Sequence, residues 1–247
     1  MSKAISYRIF KSAALVGALL ASFSASADIV ISGTRVIYNE KDKDEMVRLE
    51  NKGGKPLLVQ TWIDKGKENV DPAKLFVPFT LTPPVFRIEP KRGQTLRIMY
   101  TQGTALPADR ESVFWLNVLE IPPKRPEDKS KVQNLLQLAF KTRIKLFYRP
   151  ANLAGNAIDA IKELKWRIVN DDNHVYLKAK NNSPYYVSFS DASFTSAGKK
   201  YSVAIKMLPP MSEETFTVSG LKSGSTGKVD YVAINDFGGS VTRSVTL

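Results

Sequence analysis

The segment Leu135–Tyr148, LLQLAFKTRIKLFY, runs into Arg149 and Pro150 and constrains this chain more than any other. Its even positions Leu136, Leu138, Phe140, Ile144, Leu146 and Tyr148 are apolar, with Thr142 the one exception. From Gln137 onward the odd positions Lys141, Arg143, Lys145 and Arg149 are polar, apart from Ala139 and Phe147. Period two marks a strand with two chemically different faces; on a helix Leu135, Leu138, Leu146 and Tyr148 would scatter around the wheel. At ~3.3 Å per residue the strand spans about 46 Å, against a usual ~17–20 Å. An apolar strand of that length at a sheet edge is an aggregation hazard. It is therefore buried centrally, or something else is meant to pair with it.

Residues 1–27 read as a secretory signal peptide and not as part of the fold. Lys3, Arg8 and Lys11 give a basic start, Ala13 to Ala21 an apolar run too short to span a bilayer, and Ala25-Ser26-Ala27 a small-residue cleavage site before Asp28. The segment holds those three basic residues and no acid, so its removal leaves 220 of 247 residues and takes the net charge from +12 to +9. The sequence therefore predicts an exported, soluble chain with no second membrane segment. Export argues against nucleic acid as the reason for the basic excess, which leaves a solvated basic surface or a partner that offers a carboxylate or an acidic face. There is no cysteine, so no disulfide staples the fold and packing must stabilise it.

Strand signals dominate the rest. Short runs rich in Val, Ile, Tyr, Phe and Trp recur from Ile29–Tyr38 to Leu135–Tyr148, and again from Ile158–Ile161 to Val241–Leu247. Turn residues separate them, as in Asn51-Lys52-Gly53-Gly54, Asn181-Asn182-Ser183-Pro184 and Asp236-Phe237-Gly238-Gly239. Two sets of about seven strands, with no long amphipathic helix, predict an all-β chain of two sandwich domains of ~100 residues each. The expected division is 28–150 and 151–247, since Pro150 fixes its own φ and holds Arg149 extended.

The chemistry narrows what such a chain does. His174 is the single histidine and cysteine is absent, which removes the usual zinc sites and a Cys-His nucleophile. A Ser-His-Asp triad would have to use His174, beside the turn-like Asn170-Asp171-Asp172-Asn173. That acidic run lacks the ligand spacing of a calcium loop, and no glycine-rich phosphate loop is present. The sequence thus predicts a binding protein and not an enzyme, with no metal and no cofactor.

Several motifs then coincide: Gly33-Thr34-Arg35-Val36-Ile37-Tyr38, Thr82-Pro83-Pro84, Asp109-Arg110-Glu111-Ser112, Glu120-Ile121-Pro122-Pro123, Ile144 to Pro150, Asn182 to Val187, and Ile234 to Gly239. In this order across nearly the whole exported chain, they resemble the periplasmic pilus chaperones of the chaperone–usher pathway. The resemblance implies two immunoglobulin-like β-sandwich domains arranged as a boomerang with a cleft between them. It implies partners as well: pilus subunits, capped by donor-strand complementation with strand 135–148, and an outer-membrane usher that receives them. The cysteine-free, short loop before the long strand is similar to the short-loop subclass.

The resemblance also assigns roles. Arg35 and Lys145 would hold the C-terminal carboxylate of the subunit by charge-assisted hydrogen bonds. Leu136, Leu138 and Phe140 would fill the subunit's groove, although they could equally be the sandwich's own core. Glu111, Arg149 and Asp236 would form a charge cluster between the domains. Alternation places Lys145 on the opposite face from the three donors, so a bulge, a twist or side-chain reach has to reconcile the assignments. A structural fimbrial subunit or adhesin is the alternative reading. Self-association of the free protein over its own exposed strand is a further expectation.

Overall fold

The computed structural model describes residues 28–67, 70–123, 138–171, 174–218, 220–221 and 224–247. The expected signal peptide, the donor position Leu136 and most of the loop before the long strand lie outside these residues.

The first half holds nine strands: β1 (Ile29–Ile31), β2 (Arg35–Asn39), β3 (Glu45–Asn51), β4 (Leu57–Asp64), β5 (Phe79–Thr82), β6 (Val85–Ile88), β7 (Gly93–Tyr100), β8 (Ser112–Ile121) and β9 (Phe140–Arg149). They form one sheet of order β1-β3-β7-β5 and another of order β2-β9-β8-β4-β6. The inward positions alternate with outward ones, as period-two burial requires. Val59 and Ile63 of β4, Phe114, Leu116 and Val118 of β8, and Leu146 and Tyr148 of β9 are buried against Leu49 of β3 and Leu96 and Ile98 of β7. An aromatic cluster packs the end of this core next to the second domain. Tyr38 stacks on Tyr148 at 6.1 Å, and Phe79 meets Phe114 edge-on at 4.9 Å.

The chain changes sheets between β1, which pairs with β3, and β2, which pairs with β9. Gly33 stands at that crossing with φ +109°, a conformation that L side chains rarely adopt. Among the described strands β2–β9 is the one parallel pair, and it is short: Arg35 to Asn39 against Lys145 to Arg149. On its other side β9 pairs with β8 over nearly its whole length, from Phe140↔Glu120 to Tyr148↔Ser112. Thus β9 is central at its C-terminal half and, among the described residues, an edge from Phe140 to Ile144. The strand expected over Leu135–Tyr148 is thus shorter at its start: it begins at Phe140, with Leu138 and Ala139 outside it, and runs on to Arg149.

The second half begins with a correction. Ile158–Ile161, expected as a strand, lies in helix α1 (Ala157–Lys162). The local chemistry is helical: the Asn156 side chain caps the first turn by accepting from Asp159 N at 2.9 Å, and Lys162 reaches Asp159 at 3.0 Å. Ala160 and Ile161 are buried and Tyr231 Oη donates to the Ile161 carbonyl at 2.8 Å, which ties α1 to the core. Strands β10 (Lys165–Asp171), β11 (His174–Asn181) and β14 (Ser212–Thr217) form one sheet, in the order β10-β11-β14. Strands β12 (Ser188–Ser196), β13 (Lys199–Ser202), β15 (Lys228–Ile234) and β16 (Ser240–Thr246) form the other, in the order β13-β12-β15-β16. Trp166, Leu177, Phe194, Phe216 and Tyr231 fill the space between them.

Both domains use one turn clamp. Buried Asn51 donates to the carbonyls of Lys55 (2.7 Å) and Ile88 (3.2 Å) and accepts from Gly53 N (2.9 Å). Buried Asn181 donates to Tyr185 and Pro209 carbonyls (2.7 and 2.9 Å) and accepts from Ser183 N (3.0 Å). Each side-chain amide is paired with backbone, which offsets the cost of burying a polar residue.

Leu138 and Phe140 are 53% and 61% exposed, so neither belongs to the core of the free protein. Leu146, further along the same strand, is fully buried. Leu146→Ala is expected to cost about 2–5 kcal/mol in urea unfolding. Phe140→Ala should leave the midpoint within about 0.5 kcal/mol of wild type; equal losses from the two would place Phe140 in the core.

Candidate functional site: the cleft and the open edge

Parallel register sets Arg35 directly beside Lys145, on the outward face of the sheet. Both side chains reach the second domain. Arg35 Nη1 donates to the Ile234 carbonyl at 2.9 Å, and Lys145 Nζ donates to Ser188 Oγ at 2.9 Å. Ser188 and Ile234 are themselves register partners on β12 and β15. A pair of strand positions in one domain therefore faces a pair in the other, with two cations between. Phe147, on the same face, lies 6.0 Å beneath the Arg35 guanidinium and packs on Tyr186 at 5.8 Å.

Neither cation makes an ion pair with a described carboxylate, and Arg35 Nε is buried without a hydrogen-bond partner. Burial holds the Arg35 guanidinium below its ordinary pKa, against the pull of Asp236 and Glu111. Burial also lowers Lys145, and the neighbouring Arg35 charge lowers it further. Two half-buried cations that repel and lack a counter-ion form a site whose electrostatics an anion would relieve.

Behind this pair lies the charge cluster. Arg149, at the end of β9, donates from Nε to Glu111 at 2.7 Å and from both Nη atoms to Asp236 at 2.8 and 3.0 Å. Its guanidinium also sits over Tyr185 at 5.2 Å. Glu111 accepts from Tyr186 N at 2.8 Å, and its own N–H donates to the Pro184 carbonyl at 2.9 Å. All three residues expected to cluster do so. Burial tends to lower Arg149, but its hydrogen bonds to Asp236 and the two carboxylate charges outweigh that and raise it. Glu111 is moved the other way: burial pushes its carboxyl up and Arg149 only partly restores it. Arg149 thus joins Glu111, from the first half of the chain, to Asp236, from the second.

Both halves of the chain match one family. Residues 28–154 match the pili and flagellar-assembly chaperone, PapD N-terminal domain, and residues 159–245 the pili assembly chaperone PapD, C-terminal domain. The chain belongs to the pilus-assembly chaperones. It is 53% identical over 227 residues to the probable fimbrial chaperone YadV of Escherichia coli K12, covering 92% of each chain. It is 44% identical over 232 residues to the chaperone protein FimB/FhaD of Bordetella pertussis, again covering 92% of each. The crystal structure of the YadV chaperone superposes with a TM-score of 0.77 at 51% identity, over 90% of this chain and 100% of that one. The SafB chaperone, solved in complex with the Salmonella enterica SafA pilin, gives 0.73 at 27% identity, over 91% and 98%. The two-sandwich architecture expected of the family is the one these structures share.

The β8–β9 register is unbroken from Phe140 to Tyr148, so no bulge brings Lys145 onto the face of Phe140. Phe140, Ile144, Leu146 and Tyr148 share the inward face, where the last two fill the core and Phe140 projects beyond it. Arg143, Lys145, Phe147 and Arg149 share the outward face. Phe140 and Lys145 therefore lie on opposite faces of one strand, as alternation predicts. Leu136 lies outside the described residues.

Sequence reasoning missed the residues that complete the site. Ser188 and the Ile234 carbonyl carry no motif of their own, and only the register across β12–β15 brings them together. It also missed Asp64, buried on the outward face, which accepts from Asn117 Nδ2 at 2.7 Å and from Arg143. With Arg143 held by Asp64 and over the Trp115 ring (4.9 Å), that cation is committed to the sheet.

Arg149→Ala strands the Glu111 carboxylate, whose side chain is 2% exposed, and is expected to cost about 3–5 kcal/mol in denaturant unfolding. Asp236→Ala, which removes a 29% exposed partner, should cost clearly less. The reverse order would mean that Glu111 is not the member whose charge needs compensation.

Proposed function

We propose that this chain is a periplasmic chaperone that binds, folds and caps pilus subunits by donor-strand complementation and passes them to an outer-membrane usher for fimbria assembly. The observation that carries this reading is the conjunction at β9. Two uncompensated cations in register, Arg35 and Lys145, stand where β2 begins, and an unpaired strand edge bearing exposed Phe140 extends beyond them. The carboxylate that ends the pilus subunit is held by the cations, its last strand pairs along Phe140–Ile144, and Leu136, Leu138 and Phe140 enter its groove. Each groove contact contributes roughly 1.5–3 kcal/mol, and ladder hydrogen bonds fix the register.

In this reading residues 1–27 direct export and are removed, 28–150 form the donor domain, and 151–247 complete the cleft. The cluster Glu111–Arg149–Asp236 sets the angle at which the second domain presents Ser188 and Ile234 to the cations. Transfer needs neither a metal nor a nucleotide, because a better-fitting strand from the next subunit can drive exchange. Free chaperone is expected to cover the same edge by self-association. The alternative of a structural fimbrial subunit is disfavoured, since both halves of the chain match chaperone domains.

Co-expression with a pilus subunit tests the assignment. Arg35→Ala and Lys145→Ala should each weaken capture by about 2–5 kcal/mol and abolish subunit recovery, while the chaperone itself folds normally. Normal recovery from both variants sinks the cleft assignment.

The direction of the Lys145 shift gives a second test. A bound carboxylate opposes the effect of burial and favours protonated Lys145, so the complex takes up protons that the free protein has begun to lose. Affinity for a peptide copied from the last strand of a pilin, ending in its free carboxylate, is therefore full below the free-state pKa of Lys145 and falls as pH rises through it. Calorimetric titration at increasing alkaline pH should show that loss, and Lys145→Met should flatten it. An unchanged slope in the variant would assign the loss elsewhere.

A further inference from the structure

Glu120 is an inward-facing carboxylate near the end of β8, 3% exposed, in a row of otherwise apolar core positions. Its Oε2 accepts from Ile29 N at 3.3 Å, which links β1 in one sheet to β8 in the other. Its Oε1 is buried and has no hydrogen-bond partner. An ionised carboxylate has about four acceptor positions, and leaving buried ones empty is unfavourable. Glu120 also pairs in register with Phe140, so it stands at the end of the first sandwich where the strand β9 begins.

The residue before Ile29 is Asp28, and its backbone is fixed. Its carbonyl accepts from Lys52 N at 2.7 Å, and buried Ile29 is held in β1 against Asn51. The Asp28 nitrogen is thus one peptide unit from the N–H already bonded to Glu120. The Asp28 carboxylate lies against the Asn51–Gly54 turn; a Cβ on Gly53 would lie 2.5 Å from Asp28 Oδ1.

We propose that the α-ammonium group created at Asp28 by removal of residues 1–27 docks on Glu120 at this end of the first sandwich. The site rests on the reading of residues 1–27 as a cleaved signal peptide. Before cleavage the nitrogen of Asp28 is a neutral amide with one N–H. After it, the same nitrogen is a cation with three donors, beside a buried carboxylate with an unused oxygen. The match is specific to a chain that begins at residue 28, because one added residue moves the charge by ~3.8 Å. Burial and the Asp28 charge push the Glu120 carboxyl above its ordinary range, and an ammonium beside it acts in the opposite sense. Signal-peptide removal is then a step in folding as well as in export: it supplies the counter-ion that joins β1 to β8.

The test uses full mature chain released in vitro from an N-terminal fusion so that Asp28 is the first residue. The α-amino group is titrated by NMR in wild type and in Glu120→Gln. Docking predicts a wild-type value clearly above the ~7.7–8.0 of an unperturbed terminus and a return toward that range in the variant. It also predicts that one extra Met before Asp28 lowers the unfolding midpoint of wild type but not of Glu120→Gln. An ordinary α-amino value unaffected by Glu120→Gln overturns the proposal. Intact mass of the periplasmic protein separates this from the cleavage reading. A mass beginning at Asp28 supports the site, and any other first residue overturns it, because the amine would then not reach Glu120.

Discussion

The five-residue parallel pairing of β2 with β9 is the constraint on which the rest depends. Gly33 lets the chain leave β1 and join the opposite sheet, and β2 then covers only the C-terminal half of β9. Its inward side chains, Val36 and Tyr38, enter the core, and Tyr38 stacks on Tyr148 across the same pair. Its first outward side chain is Arg35, which register places against Lys145. A longer β2 would cover Phe140–Ile144, and a β2 displaced by one residue would turn Arg35 into the core and Val36 into the cleft.

The two faces of β9 divide the labour. The inward face grades from fully buried Leu146 to largely exposed Phe140, so one strand is core at one end and open surface at the other. The outward face is a row of cations with distinct partners. Arg143 is held by Asp64, and Arg149 by Glu111 and Asp236. Lys145 faces a neutral hydroxyl. With the flanking members neutralised, Lys145 and its neighbour Arg35 are left without an ion pair to a described carboxylate.

Much of this was legible in the sequence. Alternation with few exceptions identified β9 from Phe140 onward, its chemical asymmetry and the parity of Lys145, because period two needs no tertiary information. Motif order identified the family and the residues Arg35, Lys145, Glu111, Arg149 and Asp236, which the structure brings together at the cleft. Residues 158–161 misled because a four-residue run with three apolar members fits a helix or a strand, and the Asn156 cap decided the matter. Ser188, the Ile234 carbonyl, the Asp64–Asn117–Arg143 network and the half-satisfied Glu120 were not legible. Each depends on which strands become neighbours across 43 to 199 residues of chain, and no local pattern encodes that. How much of β9 is free was hidden for the same reason, since it is set by where β2 starts.

The abrupt start of β2 at Arg35 has a metrological consequence. A chain that pairs along Phe140–Ile144 with its terminus at the cations is measured from a fixed zero, the Arg35–Lys145 pair, at ~3.3 Å per residue. A terminus one residue longer or shorter presents every side chain to the wrong face, while a change of two preserves the faces and shifts the contacts. For such a ligand, chain length counted back from the carboxylate is read as strictly as sequence.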